Sequence, residues 1–145
     1  MYYGALKKTD IKYLDLKNLL TEEKERTGVQ LYHKRDTHWN STGALAAVNG
    51  MLDMLNVPHS DLSDVPYKTV KNWDGDLDRM LWPGRNLKDF QNEYEKEFNY
   101  TTTGRYRGTD DLVINTVNDQ AEKSMMMFRD SFGAAVIPFL SENFS

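Results

Sequence analysis

The sequence contains no cysteine, which excludes disulfide bonds and thiolate metal sites. Its longest apolar run is far too short to cross a bilayer, and residues 1–20 lack the apolar core of a signal peptide. It also lacks a block of basic residues, and its formal net charge is -4, so we expect no nucleic-acid partner. These absences leave the cellular compartment open.

What remains is the composition of a folded domain. A chain of 145 residues has the usual length of one domain and can bury one hydrophobic core. Aromatic residues make up 12% of the sequence and no tract is of low complexity, which favours a globular protein over a disordered one. We therefore expect a single domain over residues 1–145.

Capping residues and apolar periodicity predict the helices. Asp15 suits the N-cap of a helix that reaches Arg26, and Gly28 follows as its C-terminal glycine. An amphipathic helix begins at the pair Asn40-Ser41 and reaches Leu55. The charged residues 88–97 also favour a helix, and a final helix begins within residues 132–140.

Short apolar segments lie between these helices. The predicted strands are residues 11–14, 29–32, 112–114 and 125–128. Strands that alternate with helices predict an α/β fold, with a mostly parallel sheet and helices on both faces. Sites in such folds lie at the carboxyl ends of the strands.

The run Arg129-Asp130-Ser131-Phe132-Gly133 places a serine between a strand pattern and a helix pattern. At such a turn the Ser131 hydroxyl is exposed and its backbone N–H lies at a helix N-terminus. That N–H favours negative charge developing on a substrate oxygen, so Ser131 is the candidate nucleophile. A local alternative stays open, because Asp and Ser also favour helix N-caps.

The run Asp36-Thr37-His38-Trp39-Asn40 supplies the groups that a nucleophilic serine needs. His38 can remove the Ser131 proton, and Asp36 can orient the imidazole ring. We therefore predict a catalytic triad of Ser131, His38 and Asp36. The alternative is purely structural: Asp36 caps a turn, and His38 packs against Trp39.

Three blocks together resemble the SGNH hydrolase superfamily, in the branch of the DHHW proteins and the alginate-type polysaccharide O-acetyltransferases. The blocks are the Asp36 to Asn40 run with its following Gly43-Ala44, the short Gly75-Asp76-Leu77, and the Ser131 run, where classical members have Gly-Asp-Ser. Classical members place the serine first, so the order found here resembles a rearranged version. The resemblance extends from about Tyr13 to the C-terminus.

The resemblance implies an enzyme for acyl transfer or ester hydrolysis, with O-acetyl transfer on a cell-surface or exported polysaccharide as the expected reaction. It also implies a membrane acyl-donor protein as partner, an extracytoplasmic location and no cofactor. We expect Trp39, Arg129 and Asp76 on the substrate side of the site. Arg129 would there attract a carboxylate or a polyanionic sugar. The alternative is that Arg129 is a solvated arginine at the surface.

The resemblance also concerns the oxyanion donors and the extent of the chain. Classical members use a glycine and an asparagine as further donors, and the candidate asparagines are Asn115 and Asn118. Members of this branch continue beyond the serine block, so we expect a fragment of a larger protein. Phe139, Leu140 and Phe144 would then be exposed, or buried in a homodimer through the C-terminal region.

Two other groups of polar residues carry weaker signals. Asp alternates over residues 74–78 as in a calcium loop, but the required glycine and the final acid of such a loop are absent. His33, Asp36 and His38 are metal-ligand types, but on a strand His33 points away from the other two. We expect no metal site.

Aromatic residues are numerous in the irregular region of residues 59–110. They stack on sugar rings if a groove exposes them, and otherwise form small cores under a long loop. The residues are Trp73, Trp82, Tyr94, Tyr100 and Tyr106. Because fold alone does not establish function, the alternative to an enzyme is a non-catalytic carbohydrate-binding or assembly module on an SGNH-like scaffold.

Overall fold

The computed structural model describes residues 2–61, 64–85 and 87–145. In chain order the elements are α1 (Tyr2–Leu6), α2 (Leu16–Thr27), α3 (Ser41–Leu55), β1 (Tyr67–Asp74), α4 (Asp76–Leu81), β2 (Lys88–Tyr94), β3 (Thr101–Thr103), β4 (Asn115–Val117), a 3-10 helix (Ser131–Val136) and α5 (Ile137–Ser141). No helix in the described part of the chain is long and apolar enough to span a membrane.

Local capping sets the ends of the two long helices, as the sequence predicted. The Asp15 carboxylate accepts a hydrogen bond from the Asn18 N–H at the start of α2 (3.2 Å). Gly28 ends α2 with a φ of 69°, a left-handed conformation that glycine adopts at little cost. Asn40 caps α3 by accepting from the Gly43 N–H (3.0 Å). Both of these helix predictions are confirmed.

The observed sheets are small and antiparallel. β1 pairs with β2 in a hairpin, and β3 pairs with β4. The prediction of a helix over residues 88–97 is therefore wrong, because most of this segment forms β2. Charged residues such as Lys88 and Glu93 favour a helix locally, but pairing with β1 decides their conformation.

The prediction of a mostly parallel sheet with helices on both faces is wrong. Four segments predicted as strands are not in strands: residues 11–14, 29–31, 112–114 and 125–128. The strand β4 begins only after the third of these segments ends. Among the described residues, each sheet is a two-stranded antiparallel pair. Apolar patterning favours an extended backbone, but a strand also needs a hydrogen-bonded neighbour, which these segments lack in the described structure.

The core forms around α3, which packs against α2, the 3-10 helix and α5. Its buried apolar side chains are Leu20, Leu31, Trp39, Ala44, Leu45, Ala47, Val48, Leu52, Val57, Val136, Phe139, Leu140 and Phe144. The expectation that Phe139, Leu140 and Phe144 are exposed is wrong, since all three lie in this core. The core therefore supports the helix that begins at Ser131.

Candidate active site

A short loop between Tyr32 and Trp39 carries the candidate base. These two residues form an antiparallel bridge. Inside the bridge, the His33 N–H donates to the carbonyl oxygen of His38 (3.3 Å). The chain reverses direction in this loop, and α3 begins two residues after it.

Asp36, His38 and Ser131 form a continuous chain of hydrogen bonds. The His38 Nδ1–H donates to Asp36 Oδ1 (2.6 Å), which also accepts from the His38 backbone N–H (2.9 Å). With its proton on Nδ1, the ring presents the Nε2 lone pair, and Ser131 Oγ lies 2.7 Å from that nitrogen. The structure thus brings Ser131 to the predicted Asp36–His38 pair, although Ser131 and His38 are 93 residues apart in the sequence.

The Asp36 carboxylate is buried, and both of its oxygens accept hydrogen bonds. Its Oδ2 accepts hydrogen bonds from the Trp73 indole Nε1–H (3.0 Å) and from the Asp76 backbone N–H (3.1 Å). Burial by itself would raise the pKa of Asp36, but the hydrogen bonds from His38, Trp73 and Asp76 outweigh burial and lower that pKa. Asp36 is therefore ionised at neutral pH and oriented towards His38.

Ser131 is exposed at the first position of the 3-10 helix. Asp130 is the N-cap, and its carboxylate accepts from the Phe132 N–H (3.0 Å). The Ser131 backbone N–H stands where a helix offers no internal acceptor, so it is placed to meet a substrate oxygen. The 3-10 helix has only 6 residues, so its dipole is small. Individual N–H groups therefore contribute more than the dipole to the stabilisation of a substrate oxygen.

Phe132 and Trp39 connect the nucleophile to the core. The Phe132 ring lies 4.8 Å from the His38 imidazole, centroid to centroid, and Trp39 packs edge-on against Phe132 at 5.3 Å. The Trp39 indole N–H also donates to the Phe132 carbonyl oxygen (3.1 Å). Trp39 is buried, so its side chain supports the residues beneath Ser131.

Residues from the hairpin and α4 hold the loop of the candidate base. The buried Asp89 carboxylate accepts from the backbone N–H groups of Lys34 (2.6 Å) and Arg35 (2.9 Å). The Arg35 guanidinium in turn pairs with buried Asp78 (2.6 Å). Gly75 approaches this loop so closely that a Cβ atom would lie 1.9 Å from the Arg35 carbonyl oxygen. A side chain at position 75 would therefore displace the loop.

His33 stacks on Trp73, the residue whose indole N–H donates to Asp36. The two rings stack with centroids 4.6 Å apart and planes 4° apart, and the His33 Nδ1–H donates to the Phe90 carbonyl oxygen (3.2 Å). The His33 Nε2 is buried without a hydrogen-bond partner among the described residues. Burial lowers the pKa of His33 from its ordinary value of 6.5, so this ring is neutral at neutral pH.

The polar groups that offer metal-ligand atoms have closer partners within the protein. One such atom from each of Asp36, His38 and Asp76 lies within 4.8 Å of the others. The His38 Nδ1, however, carries the proton of its hydrogen bond to Asp36, and a metal would need a lone pair there. This geometry suits proton transfer, and we assign no metal to it.

The alternating acids of residues 74–78 do not share a site. Asp74 pairs with Lys88 (2.5 Å) at the surface, whereas Asp78 is buried against Arg35. The carboxylate of Asp76 faces Thr37. The three carboxylates therefore have separate partners.

Arg129 has partners in the backbone of its own chain. Its guanidinium donates to the carbonyl oxygens of Asp111 (3.1 Å), Asp130 (3.1 Å) and Thr109. Its aliphatic stem lies where a Cβ on Gly133 would fall, 2.5 Å from the Arg129 Cβ. Arg129 thus joins residues 109–111 to the serine turn, and its contact with an anionic sugar stays a prediction.

The predicted oxyanion asparagines differ in their surroundings. Asn118 is buried, and its amide donates to the carbonyl oxygens of Glu142 (2.8 Å) and Ser141 (3.4 Å). It is therefore committed to the C-terminal helix rather than to a substrate oxygen. Asn115 is exposed at the start of β4.

A groove of about 1570 Å³ opens beside the serine turn. Its walls include residues of α2, residues 30–34, and residues 127–130, 132 and 133. Asp130 and Phe132, the two neighbours of Ser131, line it, but Ser131 and His38 do not.

The family model described as the SGNH hydrolase-like domain of acetyltransferase AlgX matches residues 2–133. That span covers most of the chain and includes all three residues of the hydrogen-bonded triad. The chain belongs to this SGNH hydrolase-like family. The predicted relationship is thereby confirmed, and it indicates an acetyltransferase-like or esterase-like protein. No functionally curated protein matches the chain.

One solved structure is similar over nearly the whole chain. It is a DHHW family protein from Eubacterium siraeum, which is 23% identical in sequence and superposes with a TM-score of 0.70. The alignment covers 97% of this chain and 56% of that protein. The similarity shows a shared fold, and the chain spans a little over half the length of the larger structure.

Sequence reasoning missed several residues that hold the site. In the sequence, Trp73 stands out only as one aromatic of an irregular region, and His33 only as a metal-ligand type that points away from Asp36 and His38. Nothing in the sequence marks Asp89 as a residue that holds the site, because its partners are backbone N–H groups more than 50 residues away. The one available hint for Trp73 was its position two residues before the Gly75-Asp76 block.

Proposed function

We propose that this domain catalyses serine-dependent acyl transfer or ester hydrolysis through Ser131, His38 and Asp36. The observation that carries the proposal is the hydrogen-bond chain from Asp36 through His38 to Ser131, with heavy-atom distances of 2.6 and 2.7 Å. These distances are within the range required for direct proton transfer from a serine to its base. Membership of an acetyltransferase-like family supports an acetyl ester as the substrate.

The first half-reaction forms an acyl-enzyme. His38 Nε2 takes the proton of the Ser131 hydroxyl while Oγ attacks the ester carbonyl carbon. The carbonyl oxygen becomes an oxyanion, which accepts a hydrogen bond from the Ser131 backbone N–H. The intermediate then collapses: the bond to the leaving alkoxide breaks, and His38 returns the proton to that oxygen.

The second half-reaction consumes the acyl-enzyme by the same steps. His38 deprotonates either water or a sugar hydroxyl, and the resulting oxygen attacks the acyl carbon. Release of Ser131 Oγ, which recovers its proton from His38, gives a free acid or a new ester. Asp36 stays ionised throughout and stabilises the imidazolium form of His38 in both halves.

The substrate and setting of the reaction follow the family resemblance. We propose O-acetyl groups of a cell-surface or exported polysaccharide as the substrate, and a membrane acyl-donor protein as the partner. The domain would then work outside the cytoplasm. Arg129 lies two residues before Ser131, so its contribution to substrate binding can be tested together with the triad.

Hydrolysis of an activated acetyl ester by the parent and three variants tests the proposal. Ser131→Ala and His38→Ala should each lower kcat on the order of a millionfold, because each removes a group that forms or breaks bonds. Asp36→Asn should cost about ten-thousandfold, since it disturbs the tautomer and orientation of His38. Circular dichroism should show that all three variants remain folded.

Equal turnover by Ser131→Ala and the parent would overturn the triad. Binding of a polysaccharide by a parent protein that is never acylated would instead support a non-catalytic carbohydrate-binding module. Both outcomes are read from the same protein preparations.

A further inference from the structure

A second carboxylate stands beside His38. Asp76 Oδ2 lies 3.7 Å from His38 Nδ1, on the side of the ring that also faces Asp36. Thr37 fixes this carboxylate, since its backbone N–H donates to Asp76 Oδ1 (2.9 Å) and its hydroxyl donates to Oδ2 (2.5 Å). Both oxygens of Asp76 are therefore held by the residue between Asp36 and His38.

Asp76 also contacts Asp36 through its backbone. Its N–H donates to Asp36 Oδ2 (3.1 Å), and it is the first residue of α4. The preceding Gly75 packs against the Arg35 carbonyl, and the Leu77 N–H donates to that same oxygen (3.2 Å). The start of α4 is thus locked against the base loop, and the Asp76 carboxylate has a defined position.

We infer that Asp76 is a positioning residue for the triad: it holds Thr37 and adds a second negative charge to the surroundings of His38. This inference rests on the proposed function. When His38 takes the Ser131 proton, two carboxylates at 2.6 and 3.7 Å stabilise the imidazolium instead of one. Asp76 acts through His38 and Thr37, and it does not touch the substrate.

The charged and titratable groups around His38 are few. Asp36 comes from the same loop and Asp76 from α4, while Ser131 faces the opposite ring nitrogen. His33 interacts with His38 at longer range and is neutral at neutral pH. A change of charge at Asp76 should therefore be felt by His38 without a competing change nearby.

NMR titration of the His38 ring in the parent and in Asp76→Asn tests this inference without any need for turnover. Loss of the negative charge should lower the His38 titration midpoint, because one carboxylate fewer then stabilises the imidazolium. Asp74→Asn removes an exposed carboxylate two residues away and should leave the midpoint unchanged. An unchanged midpoint in Asp76→Asn would overturn the inference.

Kinetics separates positioning from substrate binding. Asp76→Asn should lower kcat about tenfold at neutral pH with KM unchanged, and it should move the acid limb of the pH–rate profile to lower pH. Asp74→Asn keeps the Asp76 carboxylate and both of its bonds to Thr37, so its acid limb should stay in place. A raised KM with an unmoved acid limb would show that Asp76 binds substrate instead.

The two proposals fail in different ways. A parent protein that never becomes acylated would refute the proposed function, while the NMR titration would still decide whether Asp76 acts on His38. Conversely, loss of turnover in Ser131→Ala together with an unmoved His38 midpoint in Asp76→Asn would keep the triad and refute the role of Asp76.

Discussion

The two sides of the candidate site are held in very different ways. The base side, residues 33–40, is tied by buried polar groups from three other segments, through Asp89, Asp78 and Trp73. The nucleophile side, residues 124–130 leading to Ser131, has no regular secondary structure, and within it Met126 is 84% exposed and Phe128 is 94% exposed.

The two sides of the site therefore differ in how firmly the fold holds the catalytic side chain. The orientation of His38 is built into the fold, because breaking it would leave buried carboxylates without partners. The position of Ser131 depends on fewer contacts: the Asp130 cap, the Arg129 guanidinium and the Phe132 ring. Substitutions on the base side should therefore affect stability most, whereas those on the serine side should affect activity more than stability.

The largest stability effect is expected on the base side. Asp89→Ala leaves the backbone N–H groups of Lys34 and Arg35 without their buried acceptor, so the free energy of unfolding should fall by about 3 kcal/mol. Urea denaturation measures this change. Asp74→Ala, in the same hairpin but at the surface, should change it by less than about 0.5 kcal/mol. Equal effects of the two substitutions would show that the base loop is not anchored in this way.

On the serine side, Arg129→Ala should affect activity more than stability. Loss of the links to Thr109 and Asp111 should lower kcat on the order of tenfold to a hundredfold, because a small displacement of Ser131 from His38 Nε2 slows proton transfer. The free energy of unfolding should fall by only about 1 kcal/mol. The exposed Arg105 provides the control, since Arg105→Ala should leave both quantities unchanged. A rise in KM with normal kcat would instead assign Arg129 to substrate binding.

The same difference explains how much the sequence could predict. The ends of α2 and α3 depend on Asp15, Gly28 and Asn40, which act within a few residues of where they stand, so they could be predicted. The identity of the triad was also accessible, because the nucleophile, base and acid are specific residue types in two recognisable runs. A local pattern can carry this kind of information.

The sheets could not be predicted in the same way. Residues 125–128 are apolar like a buried strand, but a strand exists only where another segment supplies hydrogen bonds. Residues 88–97 favour a helix by composition, yet most of them pair with β1. The supports of the base loop were hidden for the same reason, since Asp89 and Trp73 act across long sequence distances.

We expect pH to have a smaller effect on the free energy of unfolding, and this effect arises on the base side. Burial lowers the pKa of His33 below the 6.5 expected for an unfolded chain, so the unfolded state binds a proton more readily. Stability should therefore fall as pH drops through 6.5. The lowered pKa values of Asp36 and Glu142 also reduce stability in acid, but only at lower pH, as these carboxylates become protonated.

His33→Phe should remove this slope while keeping a ring to stack on Trp73. Thermal unfolding between about pH 5 and pH 7 measures it, with Tyr32→Phe as a neighbouring control that should keep the parental slope. A parental slope in His33→Phe would assign the pH dependence to another group.

The smallest effect on stability is expected from the exposed apolar residues of the serine side. Phe128→Ser should change the free energy of unfolding by less than about 0.5 kcal/mol, because the ring contacts little in its own chain. Urea denaturation of Phe128→Ser and the parent measures this change, and a loss of more than about 1 kcal/mol would contradict it.

Mass spectrometry of the protein after brief exposure to an activated acetyl ester tests directly whether Ser131 is the nucleophile. We expect the parent to gain one acetyl group, and we expect peptide mapping to place it on Ser131. His38→Ala should gain none in the same time, because the hydroxyl then lacks its base. Acetylation of the parent at another residue, or equally rapid acetylation of Ser131 in His38→Ala, would contradict the account.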